Sequence, residues 1–170
     1  MGNEKEMPKR KHPRLRDYDY SLTGAYFVTI CTHNKKCTLS RIVGRGLAPA
    51  ETNKVEYTLL GEIAEQQLLL LKERYPCLVI DQYVIVPNRI HVIFFLTDEA
   101  AGASPRPTIM DVVCAYKSLT TKECRKHGVQ GKIFQTSFHD HIIRDRKDLE
   151  KHVAYIGENP LKWTSNSLYV

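Results

Sequence analysis

The stretch LVIDQYVIVPNRIHVIFFLT, Leu78 to Thr97, decides the fold. It holds two runs rich in β-branched and aromatic residues, Leu78 to Val86 and Ile90 to Thr97, on either side of Pro87 and Asn88. Pro presets its own φ and donates no hydrogen bond, and Asn tolerates turn conformations, so the pair reads as a tight turn joining two strands. The stretch is a β-hairpin. Side chains along a strand alternate between faces, so Arg89 and His91 point the same way if the second strand reaches back to 89.

Working outward, Thr58 to Arg74 repeats Leu59, Leu60, Ile63, Ala64, Gln67, Leu68 and Leu71 at helical spacing. Ahead of it, residues 33–56 are polar and contain glycine, which suits a loop or hairpin, and Gly24 to Thr32 has the content of a strand. After the hairpin, Thr97 to Pro107 is a loop rich in Ala, Gly and Pro. Thr108 to Lys126 is a second helix with Ile109, Val112, Val113, Tyr116 and Leu119 on one side. Thr136 to Arg144 is a fourth strand. Asp145 to Glu158 is a third helix that Pro160 stops, leaving the last ten residues irregular. Residues 1–20 form a basic flexible arm bearing Tyr18 and Tyr20, and residues 21–170 a single domain. The order matches the ferredoxin-like β-α-β-β-α-β pattern, an α+β fold with an antiparallel sheet, helices on one face and a further C-terminal helix.

Composition narrows the function. A chain of 170 residues, 42% hydrophobic, suits one domain with an ordinary core. No apolar run is long enough to span a membrane, and the polar segment Met1 to Arg16 lacks the apolar stretch of a secretory signal. Five cysteines with no CxxC pair read as reduced thiols in a cytoplasm. The net charge of +6 is concentrated in residues 1–16, with six Lys/Arg, and in residues 117–151, with nine Lys/Arg against five acids. That clustering raises the case for a polyanion partner.

A His-x-His pair facing one way from a strand can hold a divalent metal, but here only His91 is available, because Arg89 stays protonated and has no lone pair to give. On the third helix, Leu149, Val153 and Ile156 form a narrow apolar stripe, and Asp148, His152, Tyr155 and Asn159 share a neighbouring sector. The phenol of Tyr155 is a weak nucleophile near neutral pH, so attack on a phosphodiester requires a polarised phosphate, which a divalent cation supplies. Asn159, one turn beyond Tyr155, could offer a carbonyl oxygen. His139-Asp140-His141 is a second His-x-His pair, either a compensating metal site or surface histidine. Lys117, Ser118 and Arg144 are either DNA-backbone contacts or ordinary exposed polar side chains, and Arg14 and Arg16 in the arm are further candidates for such contacts.

These segments together resemble the single-tyrosine HUH transposases, and most closely the REP-associated tyrosine (IS200-like) group. The resemblance runs through Asp17-Tyr-Asp-Tyr20, Gly24-Ala-Tyr-Phe-Val-Thr-Ile-Cys-Thr-His33, Val86-Pro-Asn-Arg-Ile-His91, Tyr116-Lys-Ser118, Ser137-Phe-His-Asp-His-Ile-Ile-Arg144 and Tyr155-Ile-Gly-Glu-Asn-Pro160. It implies Tyr155 as the nucleophile that takes the 5′ phosphate of cleaved single-stranded DNA, His91 and Asn159 as ligands of magnesium or manganese, hairpin DNA as substrate, and a homodimer. Arg89 departs from the pattern, which places a metal-binding His there. Two functions follow as expectations: a cleaving and rejoining transposase impaired by Arg89, or a decayed or domesticated sequence-specific DNA-binding protein. An RNA-binding sheet of the RRM type ranks below both, because the strands lack that module's aromatic signature.

Overall fold

The structure is a computed structural model that describes residues 18–43, 54–98 and 106–165. The elements are β1 (Gly24–Cys31), β2 (Ser40–Val43), β3 (Lys54–Tyr57), α1 (Leu59–Arg74), β4 (Leu78–Val86), β5 (Arg89–Leu96), α2 (Ile109–Lys126), β6 (His139–Ile143) and α3 (Arg146–Ser165). The main sheet has the order β4-β5-β1-β6, with every pair antiparallel. This is the ferredoxin-like α+β arrangement, with the small β2–β3 hairpin inserted before α1.

The register of the strands sorts their side chains onto two faces. Tyr26, Val28 and Ile30 of β1 and Ile90, Val92 and Phe94 of β5 are fully buried and form one apolar cluster with residues of α1 and α2. Tyr116 of α2 is completely buried there and donates its hydroxyl to the Ala64 carbonyl at 3.0 Å, so its one polar atom is satisfied. Phe27, Thr29, Arg89 and His91 alternate with these residues and so belong to the opposite face, which α3 covers. A bulge between Ile80 and Gln82 leaves Asp81 unpaired in the β4–β5 ladder and resets the alternation of β4.

The two helices of the core face start where their side-chain chemistry dictates. Thr58 accepts a hydrogen bond from the Gly61 backbone N–H at 3.2 Å, and Thr108 forms a reciprocal capping box with Asp111. Gly61 is required by a close approach: a Cβ there would run into the Leu39 carbonyl.

The hairpin alternative for residues 33–56 holds, since β2 pairs with β3 there, while residues 44–53 lie outside the described residues. Three expectations change. The fourth strand is shorter than Thr136–Arg144, because the Lys117 ammonium takes the carbonyls of Gln135 and Thr136 that a longer ladder would need. Tyr18 and Tyr20, read as the end of the arm, pack edge-on against each other at 5.0 Å and lie against Tyr26, with Tyr20 buried. Residues 1–17, including Arg14 and Arg16, lie outside the described residues.

The third change is that Pro160 does not end α3, which continues to Ser165. A proline inside a helix removes one hydrogen bond and costs about 3 kcal/mol. Tertiary packing on both sides of it offsets that cost: Ile156 and Asn159 are buried before it, and Trp163 after it lies against the Arg89 guanidinium at 5.4 Å.

Candidate functional site

The site forms where α3 crosses the β5–β1–β6 part of the sheet. Because β1 pairs with both β5 and β6, Thr29 is flanked by His91 and His139, and Phe27 by Ile93 and His141. All of these side chains face α3, so the two His-x-His segments lie on the same face of the sheet. The sequence reading of Arg89 and His91 as co-facing residues holds, since β5 begins at Arg89.

Tyr155 stands over this row. Its ring is edge-on to His91 with centroids 5.2 Å apart, and edge-on to Phe27 at 5.9 Å. Phe27 stacks against His91 at 5.5 Å and leans on His152 at 4.6 Å. His91 is 2% exposed; Thr29 Oγ1 engages its Nδ1 at 2.9 Å, and its Nε2 is buried with no hydrogen-bond partner among the described residues. Burial, aided by the Arg89 charge, holds the imidazole pKa down at about 3, so the ring is neutral at physiological pH. A buried, neutral ring nitrogen without a partner is unusual, since unsatisfied buried polar atoms are rare.

A cavity of about 550 Å³ opens beside these residues, lined by Arg89, His91, His139, His152, Tyr155 and Glu158, with Lys151 and Lys162 at its side. The Arg89 Nε donates to Asn88 Oδ1 at 3.0 Å. Asn159 is buried at 8% exposure and is not among the lining residues. Glu158, which the sequence reading did not single out, lines the cavity and pairs with Lys162 at 2.6 Å.

The docked side of α3 differs from its apolar stripe. Val153 of that stripe is 36% exposed, whereas His152 and Tyr155 face the cavity and Ile156 and Asn159 are buried. The polar sector docks on a sheet face that is itself aromatic and polar, and of the stripe Ile156 is buried, Leu149 half-buried and Val153 exposed.

A second, larger cavity of about 910 Å³ lies between α2 and residues 131–136, lined by Lys122, Arg125, Lys126 and Lys132 and by no acidic residue. Lys117 and Ser118 also border it, but the Lys117 ammonium binds the Gln135 and Thr136 carbonyls and holds the wall in place. Burial lowers the pKa of that ammonium. Arg144 is exposed at the end of β6, and its backbone N–H donates to Asp148 Oδ2 at 3.3 Å.

A solved REP-associated tyrosine transposase bound to a REP hairpin superposes with a TM-score of 0.61, at 24% identity, over 88% of this chain and 73% of that one. The fold is that of a REP-associated tyrosine transposase. No family model matches the chain. An uncharacterized protein of Haemophilus influenzae is 29% identical over 95% of this chain and 93% of its own length. A second protein of that organism, named "Putative REP-associated tyrosine transposase", is 32% identical over 46% of this chain and 47% of its own length. No helix among the described residues is long and apolar enough to cross a membrane.

The magnesium or manganese centre that the transposase resemblance implies does not fit this cavity. The orphaned His91 Nε2 is a suitable donor, but Arg89 beside it brings a fixed positive charge and no lone pair, and Asn159 stays outside the lining. Among the described residues, the one place where three His, Cys, Asp or Glu side chains gather closely enough for an ion is His141, Asp148 and His152.

Proposed function

We propose that this chain binds hairpin-forming DNA in the manner of the REP-associated tyrosine transposases, with Tyr155 placed toward a single-stranded segment and strand cleavage weakened by Arg89. The observation that carries this reading is the cavity in which Tyr155, His91 and Arg89 converge on the α3 face of the transposase fold. The basic groove beside α2 supplies the second half: Lys122, Arg125 and Lys132 suit the phosphate backbone of a duplex stem, by charge and not by sequence. Two copies acting as a dimer are part of the same reading.

In the cleavage step of this reading, the Tyr155 oxygen attacks phosphorus and its phenolic proton is lost. The bond to the 3′ oxygen breaks, and that oxygen leaves as an alcohol after gaining a proton. A 5′-phosphotyrosine results. Arg89 can orient the phosphate by charge-assisted hydrogen bonds, yet it cannot take the place of a divalent ion. Binding without efficient cleavage follows from that substitution.

The test uses a 3′-labelled single-stranded hairpin oligonucleotide drawn from DNA flanking the gene, with manganese, resolved on a denaturing gel. The native chain is expected to shift the hairpin in a native gel but to form little adduct. Arg89→His is expected to raise the adduct, and Tyr155→Phe in that background to abolish it. Strong adduct from the native chain, absent in Tyr155→Phe, would mean that Arg89 does not impair cleavage. Failure to retain the hairpin at all would overturn the binding reading.

A further inference from the structure

The cluster at the start of α3 lies to one side of the tyrosine cavity. Three side chains from two elements meet there: His141 from β6, and Asp148 and His152 from successive turns of α3. His141 Nε2 is 2.8 Å from Asp148 Oδ2, and Asp148 Oδ1 is 3.3 Å from His152 Nδ1. The two imidazoles stack with centroids 4.7 Å apart, and one potential ligand atom from each of the three residues lies within 4.8 Å of the other two.

The surroundings are partly arranged for ligation, and His141 Nε2, which donates to the Asp148 carboxylate, gives up its proton on binding an ion. His152 Nδ1 lies 2.8 Å from the Asp148 backbone carbonyl, which can only accept; that contact makes Nδ1 the donor and leaves Nε2 as the nitrogen with a lone pair. The Arg144 backbone N–H holds Asp148 Oδ2, and Asp145 Oδ1 caps the Asp148 N–H at 2.8 Å, so the carboxylate has a fixed position. Exposure of the side chains is graded, 49% for His141, 21% for Asp148 and 15% for His152, which leaves one side open for an ion to enter and retain water.

We propose that His141, Asp148 and His152 bind one divalent transition-metal ion of the zinc class, which clamps α3 to β6 and so fixes the helix that carries Tyr155. Two imidazoles and one carboxylate suit zinc, cobalt or nickel rather than magnesium or calcium, which prefer all-oxygen shells. Metal–ligand bonds of about 2.0–2.2 Å place ligand atoms roughly 3.3 Å apart in a tetrahedron. His141 and Asp148 already lie closer than that, at 2.8 Å, and all three donor atoms lie within 4.8 Å, so the side chains reorient around an ion without moving the elements that carry them. The clamp reaches the nucleophile through one ring: Phe27 touches His152 at 4.6 Å and Tyr155 at 5.9 Å. This centre is separate from the ligand set implied for His91 and Asn159, and it does not depend on the DNA-binding reading.

The test is titration of the metal-free full chain with cobalt(II), read by its visible absorption, followed by competition with zinc and a thermal melt. One tight site per chain is expected, with a melting temperature that rises with zinc. His141→Ala and Asp148→Asn should each weaken binding by more than the ~10–100-fold that loss of an outer partner costs, while His91→Ala keeps it. Asp148→Asn preserves side-chain volume, so it keeps the test alive if His141→Ala does not fold. No cobalt binding by the native chain, or binding that survives both substitutions, overturns the proposal. Binding lost in His91→Ala but kept in Asp148→Asn overturns it as well, because the ion then sits beside Tyr155.

Discussion

On β1, Tyr26, Val28 and Ile30 are wholly buried against the layer of α1 and α2, while Phe27, Thr29 and Cys31, one residue out of step, look toward α3 and are only half-buried. The same strand therefore serves two interiors. One is continuous and apolar. The other holds histidines, a threonine, an arginine and a tyrosine around a cavity, and it contains a buried nitrogen with no partner. The first supplies stability, which scales with buried apolar area. The second gives up packing for polar chemistry, as functional sites do.

The sharpest way to break that division is Phe94→Ala on the apolar face. Phe94 is fully buried, so its truncation should cost about 3–5 kcal/mol and lower the urea midpoint strongly. A loss below about 1 kcal/mol would mean that the α1–α2 face does not dominate stability.

The next effect is a pH dependence that belongs to the α3 face. His91 has its pKa held at about 3 in the fold against 6.5 for the free group. Above pH 6.5 the ring is neutral in both states and has no effect on stability. Below it the unfolded chain takes up a proton that the folded chain refuses, so stability falls by about 1.4 kcal/mol per pH unit, or about 2 kcal/mol by pH 5. Urea unfolding of native protein and His91→Gln at pH 7 and pH 5 should show the steeper loss in the native chain. Equal slopes would place the His91 proton equilibrium near its ordinary value.

The smallest effect on stability should come from Tyr155→Phe. The Tyr155 ring contacts to His91 and Phe27 remain, so the change should stay within about 0.5 kcal/mol by thermal melting. A drop of several kcal/mol would show that the α3 face holds the fold together after all.

Much of the first interior was legible in the sequence, and less of the second. The periodicity of Leu60, Ile63, Ala64, Leu68 and Leu71 needs only a helix to be read, and the Pro87-Asn88 turn fixes the β4–β5 register from local rules. Period-two alternation likewise placed Arg89 beside His91, and His139 with His141. What alternation cannot give is which strands lie next to each other, so the row His139, Thr29, His91 emerges only once β1 lies between β5 and β6. The meeting of His141 with Asp148 and His152 was hidden for the same reason. The sector of His152 and Tyr155 on α3 was legible from helical spacing, but the polar sheet face it meets was not. Pro160 misdirected the reading of where α3 ends, since the contact between Trp163 and Arg89 joins residues far apart in the chain. The structural role of Lys117 carried no local signal, because a lysine that ties two carbonyls and one that meets a phosphate look alike in a string of letters.

The bulge at Asp81 bears on how copies of this chain can meet. β4 is the outer strand on its side of the sheet, and a long flat edge invites a neighbouring chain to add a strand. The extra residue twists that edge and sets an exposed carboxylate midway along it, between Ile80 and Gln82. Runaway strand addition, the route from a free edge to fibrils, is blocked at that point. A second copy adding a strand beside β4 would meet that carboxylate and that twist.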